Sequence, residues 1–227
     1  MAGAGRGDHR VLIIDDHVLF AESLELALSL EGYDVRRLEP PDEGGSMATL
    51  RSLALRANPR TVLLDLDLGR FGDGVNLIGP LARANANVVV LTATEDVGRW
   101  GACMRLGARK VLSKTGALQQ ALATVRRLHQ GLPVVTREEL ETLLEAWARD
   151  RQAHDDVRRR LDLLTPRERQ VLGALIEGRT VRAIATASVV SEATVRTQVK
   201  SILGKLEVSS QLAAVGMANQ VGWKQGA

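Results

Sequence analysis

Four short, largely apolar runs, Val11–Ile14, Thr61–Leu64, Asn87–Leu91 and Lys110–Ser113, each end on a polar group: Asp15-Asp16, Asp65, Thr92 and Lys114. Runs of this length, separated by helical patterns, read as parallel strands covered on both faces. Such strands bring all of their carboxyl ends to one edge of a sheet, so the four polar groups converge there. In an open α/β sheet that edge, near the point where strand order reverses, is where ligands bind. The pattern therefore predicts one polar pocket built from residues up to 99 positions apart, Asp15 to Lys114.

The segments between the runs complete an alternation of five strands and five helices. Leu19, Phe20, Leu24, Ala27 and Leu28 carry helical spacing that stops at Gly32. Tyr33–Leu38 reads as a second strand, and Glu39–Gly45 as a loop because of its Pro and Gly. Helices are expected near 47–57, 76–84, 95–106 and 116–129. Gly131-Leu-Pro133 ends the alternation. The organisation predicted is a flexible tail over 1–9, an α/β domain over 10–132, a helical linker over 133–162 and an all-α domain over 163–227. In the linker, Leu140, Leu143, Trp147, Val157, Leu161 and Leu164 hold a/d spacing that Asp150 and His154 interrupt. That suits a solvated linker helix, with a dimer-forming helix as the other reading.

Charge separates the two parts. Residues 1–150 hold 18 Lys and Arg against 20 Asp and Glu, a net of −2, whereas 151–227 hold 12 against 7, a net of +5. The basic second part suits a polyanion partner. No apolar run approaches the roughly 18–20 residues that span a bilayer. The opening residues lack a signal-peptide core, and the single Cys103 can form no internal disulfide. A cytoplasmic protein without membrane contact is expected.

A carboxylate attacks a phosphoryl group poorly because both are anionic, and a hard divalent cation between them lowers the repulsion. Mg²⁺ takes one or two carboxylates and bridges to phosphate oxygens. Asp16 and Asp65 are the natural direct ligands, with Asp15 binding directly or through water. Lys114 supplies a mobile positive charge and Thr92 a hydroxyl for the phosphoryl oxygens.

With those residues in place the chain resembles the receiver domain of bacterial two-component response regulators. The matching motifs are Asp15-Asp16, Leu63-Leu64-Asp65-Leu66-Asp67, Leu91-Thr92-Ala93 and Ser113-Lys114. The resemblance implies a doubly wound, flavodoxin-like sheet of order 2-1-3-4-5, with Asp65 as phosphoacceptor. It also implies that the backbone carbonyl of Asp67 completes the Mg²⁺ ligands and that a sensor histidine kinase donates the phosphoryl group. Val111 stands where many receivers carry an aromatic switch residue. The loop Leu68–Gly74 lacks the usual proline and is one residue longer, and Thr115 replaces the proline that often follows the lysine.

In the basic part, Thr165-Pro166-Arg167-Glu168 forms a capping box that opens a helix ending at Gly178. A short helix over 181–187 follows, then Ser191 as N-cap of a helix over 192–206 and a last helix over 211–221. On the 192–206 helix, Val195, Val199, Ile202, Leu203 and Leu206 fall within about 100° of arc, leaving Ala193, Arg196, Thr197 and Lys200 on the opposite face. A short helix, a turn and a longer helix with an exposed basic face is how a helix-turn-helix enters the major groove. Arg182, on the short helix, is placed to meet a phosphate. The motifs Leu164–Leu172, Ile184-Ala185, Ser191–Arg196, Val199-Lys200 and Ile202–Leu206 resemble the LuxR-type helix-turn-helix. The whole chain thus resembles the NarL/FixJ family of response regulators.

That resemblance implies that Arg196, Thr197 and Lys200 approach bases, that Thr194 and Gln198 approach the DNA backbone, and that the last helix dimerises. The expected function is a non-enzymatic, phosphorylation-regulated transcription regulator that binds double-stranded DNA as a homodimer. A phosphorylation-independent regulator is the alternative. A haloacid dehalogenase-type phosphatase, suggested by Asp65-Leu66-Asp67, requires an acidic pair after the lysine, and here the pair precedes it.

Overall fold

The computed structural model describes residues 9–38 and 45–224. Residues 1–8 of the tail expected over 1–9 and most of the loop after residue 38 lie outside them. Two units are resolved, divided between Ala148 and Arg149.

The first unit is a five-stranded, all-parallel sheet of β1 (Arg10–Ile14), β2 (Asp34–Arg37), β3 (Thr61–Asp65), β4 (Asn87–Thr92) and β5 (Ala108–Ser113). Its order is β2-β1-β3-β4-β5, as expected, so strand order reverses between β1 and β3. β3 and β4 are buried at every position, while β2 alternates because it lies at the edge. Each face of the sheet has its own core, as strand alternation requires. Leu12, Ile14, Val62, Leu64, Val88 and Val90 pack against α2 (Met47–Arg56), α3 (Val75–Arg83) and α4 (Val97–Arg105). Val11, Ile13, Leu63, Val89 and Leu91 pack against α1 (Val18–Leu30) and α5 (Ala117–His129).

Helix α4 starts two residues later than the spacing predicts. The Asp96 carboxylate accepts the Arg99 N–H at 3.0 Å and fixes the cap there. Helix α6 is continuous from Arg137 to Asp162 through Asp150 and His154, both exposed. Its apolar seam is divided: Leu143 is buried in the first unit, and Val157, Leu161 and Leu164 join the core of the second.

The second unit holds α7 (Pro166–Ile176), α8 (Val181–Ala187), α9 (Glu192–Leu206) and α10 (Gln211–Gln220) around Val171, Leu172, Ile184, Val195, Val199, Ile202 and Leu206. The Thr165 capping box is formed in both directions. The Ser191 hydroxyl caps α9 by accepting the Thr194 N–H at 3.1 Å. Val189 closes the turn between α8 and α9 in the left-handed region, φ 54°, and is 92% exposed.

The acidic pocket and the candidate nucleic-acid interface

The strands place Asp15 and Asp16 just past β1, Asp65 and Thr92 at the last positions of β3 and β4, and Lys114 just past β5. The Lys114 N–H bonds the Thr92 carbonyl at 2.7 Å, which aligns the last two strand ends. Asp15, Asp65 and Thr92 are buried polar groups, at 8%, 2% and 3% exposure. The Lys114 ammonium donates to Asp65 Oδ2 at 2.6 Å and lies 3.0 Å from both Asp15 carboxylate oxygens. Burial raises the Asp65 pKa above the usual carboxylate range. The Lys114 hydrogen bond opposes that rise and the Asp15 charge adds to it.

One member of the site was not foreseen in the sequence. His17 Nδ1 lies 2.9 Å from Asp16 Oδ1, 3.3 Å from Asp15 Oδ1, 3.6 Å from Asp65 Oδ2 and 3.2 Å from Lys114 Nζ. Potential ligand atoms of Asp15, Asp16, His17 and Asp65 all fall within 4.8 Å of one another. Three convergent carboxylates suit a hard divalent cation. Its position beside an acidic pair was the only sequence signal for His17.

Asp67 is exposed, and its carboxylate is not in that cluster. Asp67 Oδ1 accepts the Gly69 N–H at 3.1 Å, while the Asp67 N–H donates to Asp65 Oδ1 at 3.1 Å. The loop that lacks the usual proline is closed by a bridge between Asp67 and Asp73 and by the Gly74 N–H to the Leu66 carbonyl at 2.8 Å. Leu66, Leu68 and Phe71 anchor it in the core. A side chain at Gly74 would overlap the Asp65 carbonyl, so only glycine permits this return. Thr92 Oγ1 accepts the Thr94 N–H at 3.2 Å. Val111 is 4% exposed, sealed in the core.

In the second unit, Arg182, Thr194, Arg196, Thr197 and Lys200 are all exposed. Thr197 Oγ1 donates to the Ala193 carbonyl at 3.0 Å, and the Arg196 guanidinium reaches Glu192 at 3.4 Å. Thr194 is shared with the cap, its hydroxyl 2.9 Å from Ser191 Oγ. Gln198 stands apart: it is half-buried and its Oε1 is enclosed without a hydrogen bond. Beneath α9, Glu168 accepts from Ser201 Oγ at 2.6 Å, Lys205 Nζ at 2.6 Å and the Thr165 N–H at 2.7 Å. Burial would raise the Glu168 pKa, but these donors outweigh it and hold the carboxyl at about 2.

Comparison with known proteins agrees on both units. The family model of the response regulator receiver domain matches residues 11–126, and that of the luxR family of bacterial regulatory proteins matches residues 162–218. The chain is 28% identical to the nitrate/nitrite response regulator protein NarP of Escherichia coli, over 90% of this chain and 92% of that protein. It is 26% identical to the transcriptional regulatory protein DegU of Brevibacillus brevis, over 94% of each. RcsB from Salmonella enterica serovar Typhimurium, solved bound to a promoter in the presence of the phosphomimetic BeF3-, is 25% identical with a TM-score of 0.50, covering 94% of this chain and 99% of that one. A sheet of order 2-1-3-4-5 with an acidic pocket at its carboxyl edge, followed by a helix-turn-helix, is thus matched over both domains, and the chain belongs to the NarL/FixJ-type response regulators, DNA-binding transcription regulators controlled through a receiver domain.

Proposed function

We propose that Asp65 accepts a phosphoryl group from the phosphohistidine of a sensor histidine kinase and that this controls DNA binding through α9. The observation that carries the reading is the buried Asp65 carboxylate, bonded to Lys114 at 2.6 Å with Asp15 and His17 beside it. An Asp65 carboxylate oxygen attacks phosphorus, and the bond from phosphorus to the kinase imidazole nitrogen breaks. Mg²⁺ held by Asp15, Asp16, Asp65 and the Asp67 backbone carbonyl would screen the approaching anions. Lys114 follows the incoming negative charge from the carboxylate to the phosphoryl oxygens, and the Thr92 hydroxyl donates to one of them. The chain performs no turnover beyond this transfer to itself.

In the DNA-binding unit, Arg196, Thr197 and Lys200 face base edges, with Arg182 and Thr194 toward phosphates and Gln198 at the margin of that surface. The active form is a homodimer on two half-sites, with α10 at its interface, and the protein works in the cytoplasm. Among the described residues no helix is long and apolar enough to cross a membrane. Acetyl phosphate with Mg²⁺ should add one phosphoryl mass to the protein and raise its affinity for a selected operator. Asp65→Asn should do neither, and equal labelling of that variant would overturn the assignment.

A further inference from the structure

Val111 fills the place of an aromatic switch residue and is enclosed in the core, so it has no polar group with which to follow Thr92. A different side chain makes the link. Thr92 Oγ1 accepts the Thr94 N–H at 3.2 Å, and the Thr94 carbonyl accepts the indole N–H of Trp100 at 2.9 Å. The Asp96 N–H in turn donates to Thr94 Oγ1 at 3.3 Å, and Arg99 pairs with Asp73 of the phosphoacceptor loop at 3.0 Å. The start of α4 is therefore tied both to Thr92 and to the loop after Asp65.

Trp100 is half-buried, packing on the core that contains Val111 and Cys103. It also lines a cleft of about 390 Å³ with Val97 and with Thr136, Glu139 and Leu143 at the start of α6. The first part of α6 is seated closely on α4. A side chain at Gly101 would overlap the Leu143 carbonyl and meet the Trp147 Cβ at 2.8 Å. Lys110 of β5 pairs with Glu139 at 2.6 Å, and the Arg105 guanidinium lies 5.8 Å from the Trp147 ring centroid.

We propose that Trp100 is the positioning residue that passes the state of Thr92 to α6. When the Thr92 hydroxyl turns toward a phosphoryl oxygen on Asp65, the Thr94 N–H loses its acceptor and the 94–96 turn moves. Trp100 has a single polar group, and an indole N–H left unpaired beside the core is costly, so the ring follows the Thr94 carbonyl. That movement loosens the seat of α6 on α4, a two-state contact biased by the charge at Asp65. The proposal rests on Asp65 being the phosphoacceptor.

The test is hydrogen exchange of residues 137–147 in the full-length protein, with and without beryllium fluoride and Mg²⁺. Labelling at Asp65 by acetyl phosphate is measured in parallel. In the parent protein the phosphoryl mimic should speed exchange in this segment at least tenfold. Trp100→Phe keeps the ring packing but lacks the N–H, so it should label normally while its response falls below twofold. Thr92→Ser, which keeps the hydroxyl, should retain the response. Gly101→Ala should raise exchange of the segment without the mimic and leave little further change. A full response in Trp100→Phe would overturn the proposal, as would a labelled parent protein whose α6 does not respond. A parent protein that takes no label would overturn the Asp65 assignment and this proposal with it.

Discussion

Glu168→Gln is the substitution whose effect follows most directly from the structure. The carboxylate sits under α9, 8% exposed at its side chain, and joins the first turn of α7 to Ser201 and Lys205 of α9. Its pKa in the folded protein is about 2 against an ordinary 4.5. At about 1.36 kcal/mol per pH unit that gap corresponds to roughly 3 kcal/mol. Lys205 is 32% exposed, so solvent screening brings the contribution to about 2 kcal/mol. Because the folded pKa is depressed, the stabilisation is complete above about pH 4.5 and is lost as pH falls toward 2. Denaturant unfolding of the full-length protein, with hydrogen exchange of α7 and α9 to isolate that unit, should show Glu168→Gln less stable by about 2 kcal/mol at pH 7. The difference should shrink steadily below pH 4.5. A difference that persists undiminished to pH 3, or none at pH 7, would refute the assignment of this stability to the ionised carboxylate.

Asp16→Ala should weaken Mg²⁺ binding more than Asp67→Ala, since the Asp67 carboxylate is committed to the Gly69 N–H; equal losses in calorimetric titration would contradict that division. His17→Ala should lower affinity for Ni²⁺ more than for Mg²⁺, because an imidazole nitrogen suits the softer ion, and an unchanged ratio would remove His17 from the ligands. Arg196→Ala or Lys200→Ala should cost about 1–3 kcal/mol on a selected operator and relax one base preference. Arg182→Ala should weaken all sequences alike and lower the salt slope by about one unit, so identical losses for all three would count against α9 as the reading helix. Val189→Gly should stabilise the DNA-binding unit by about 1 kcal/mol by relieving a β-branched residue in the left-handed region, and thermal unfolding with no gain would show the turn unstrained.

The sheet was legible because buried parallel strands leave a composition signal in four or five consecutive residues, and because their ends fix one edge. The start of α9 was equally legible, since Ser191 caps it through a purely local hydrogen bond. What escaped depends on tertiary placement. His17 enters the pocket only because the turn after β1 points its ring back toward Asp65, a direction that no periodicity records. Glu168 reads as half of a capping box, and its bonds to Ser201 and Lys205 span 33 and 37 residues. The a/d spacing of α6 does not distinguish a partner helix from separate domain cores, and here its apolar residues serve the cores of the two units. Gln198 lies on α9 between the exposed and buried arcs, so a wheel alone leaves its amide unplaced.

The Lys114 ammonium, set against Asp15 and Asp65, is a counter-ion on a tether. Because it is always present at high local concentration, a free monovalent cation brings nothing to the pocket that the chain does not already supply. A divalent ion would add a second charge and compete with the ammonium for Asp65, so a pocket holding this tether would discriminate by charge number before ligand geometry is consulted. The same tether lets the two buried carboxylates, Asp15 and Asp65, fold together without any borrowed ion. The pocket can therefore stand assembled with Asp15 and Asp65 already countered, by a group that is itself able to follow a new negative charge.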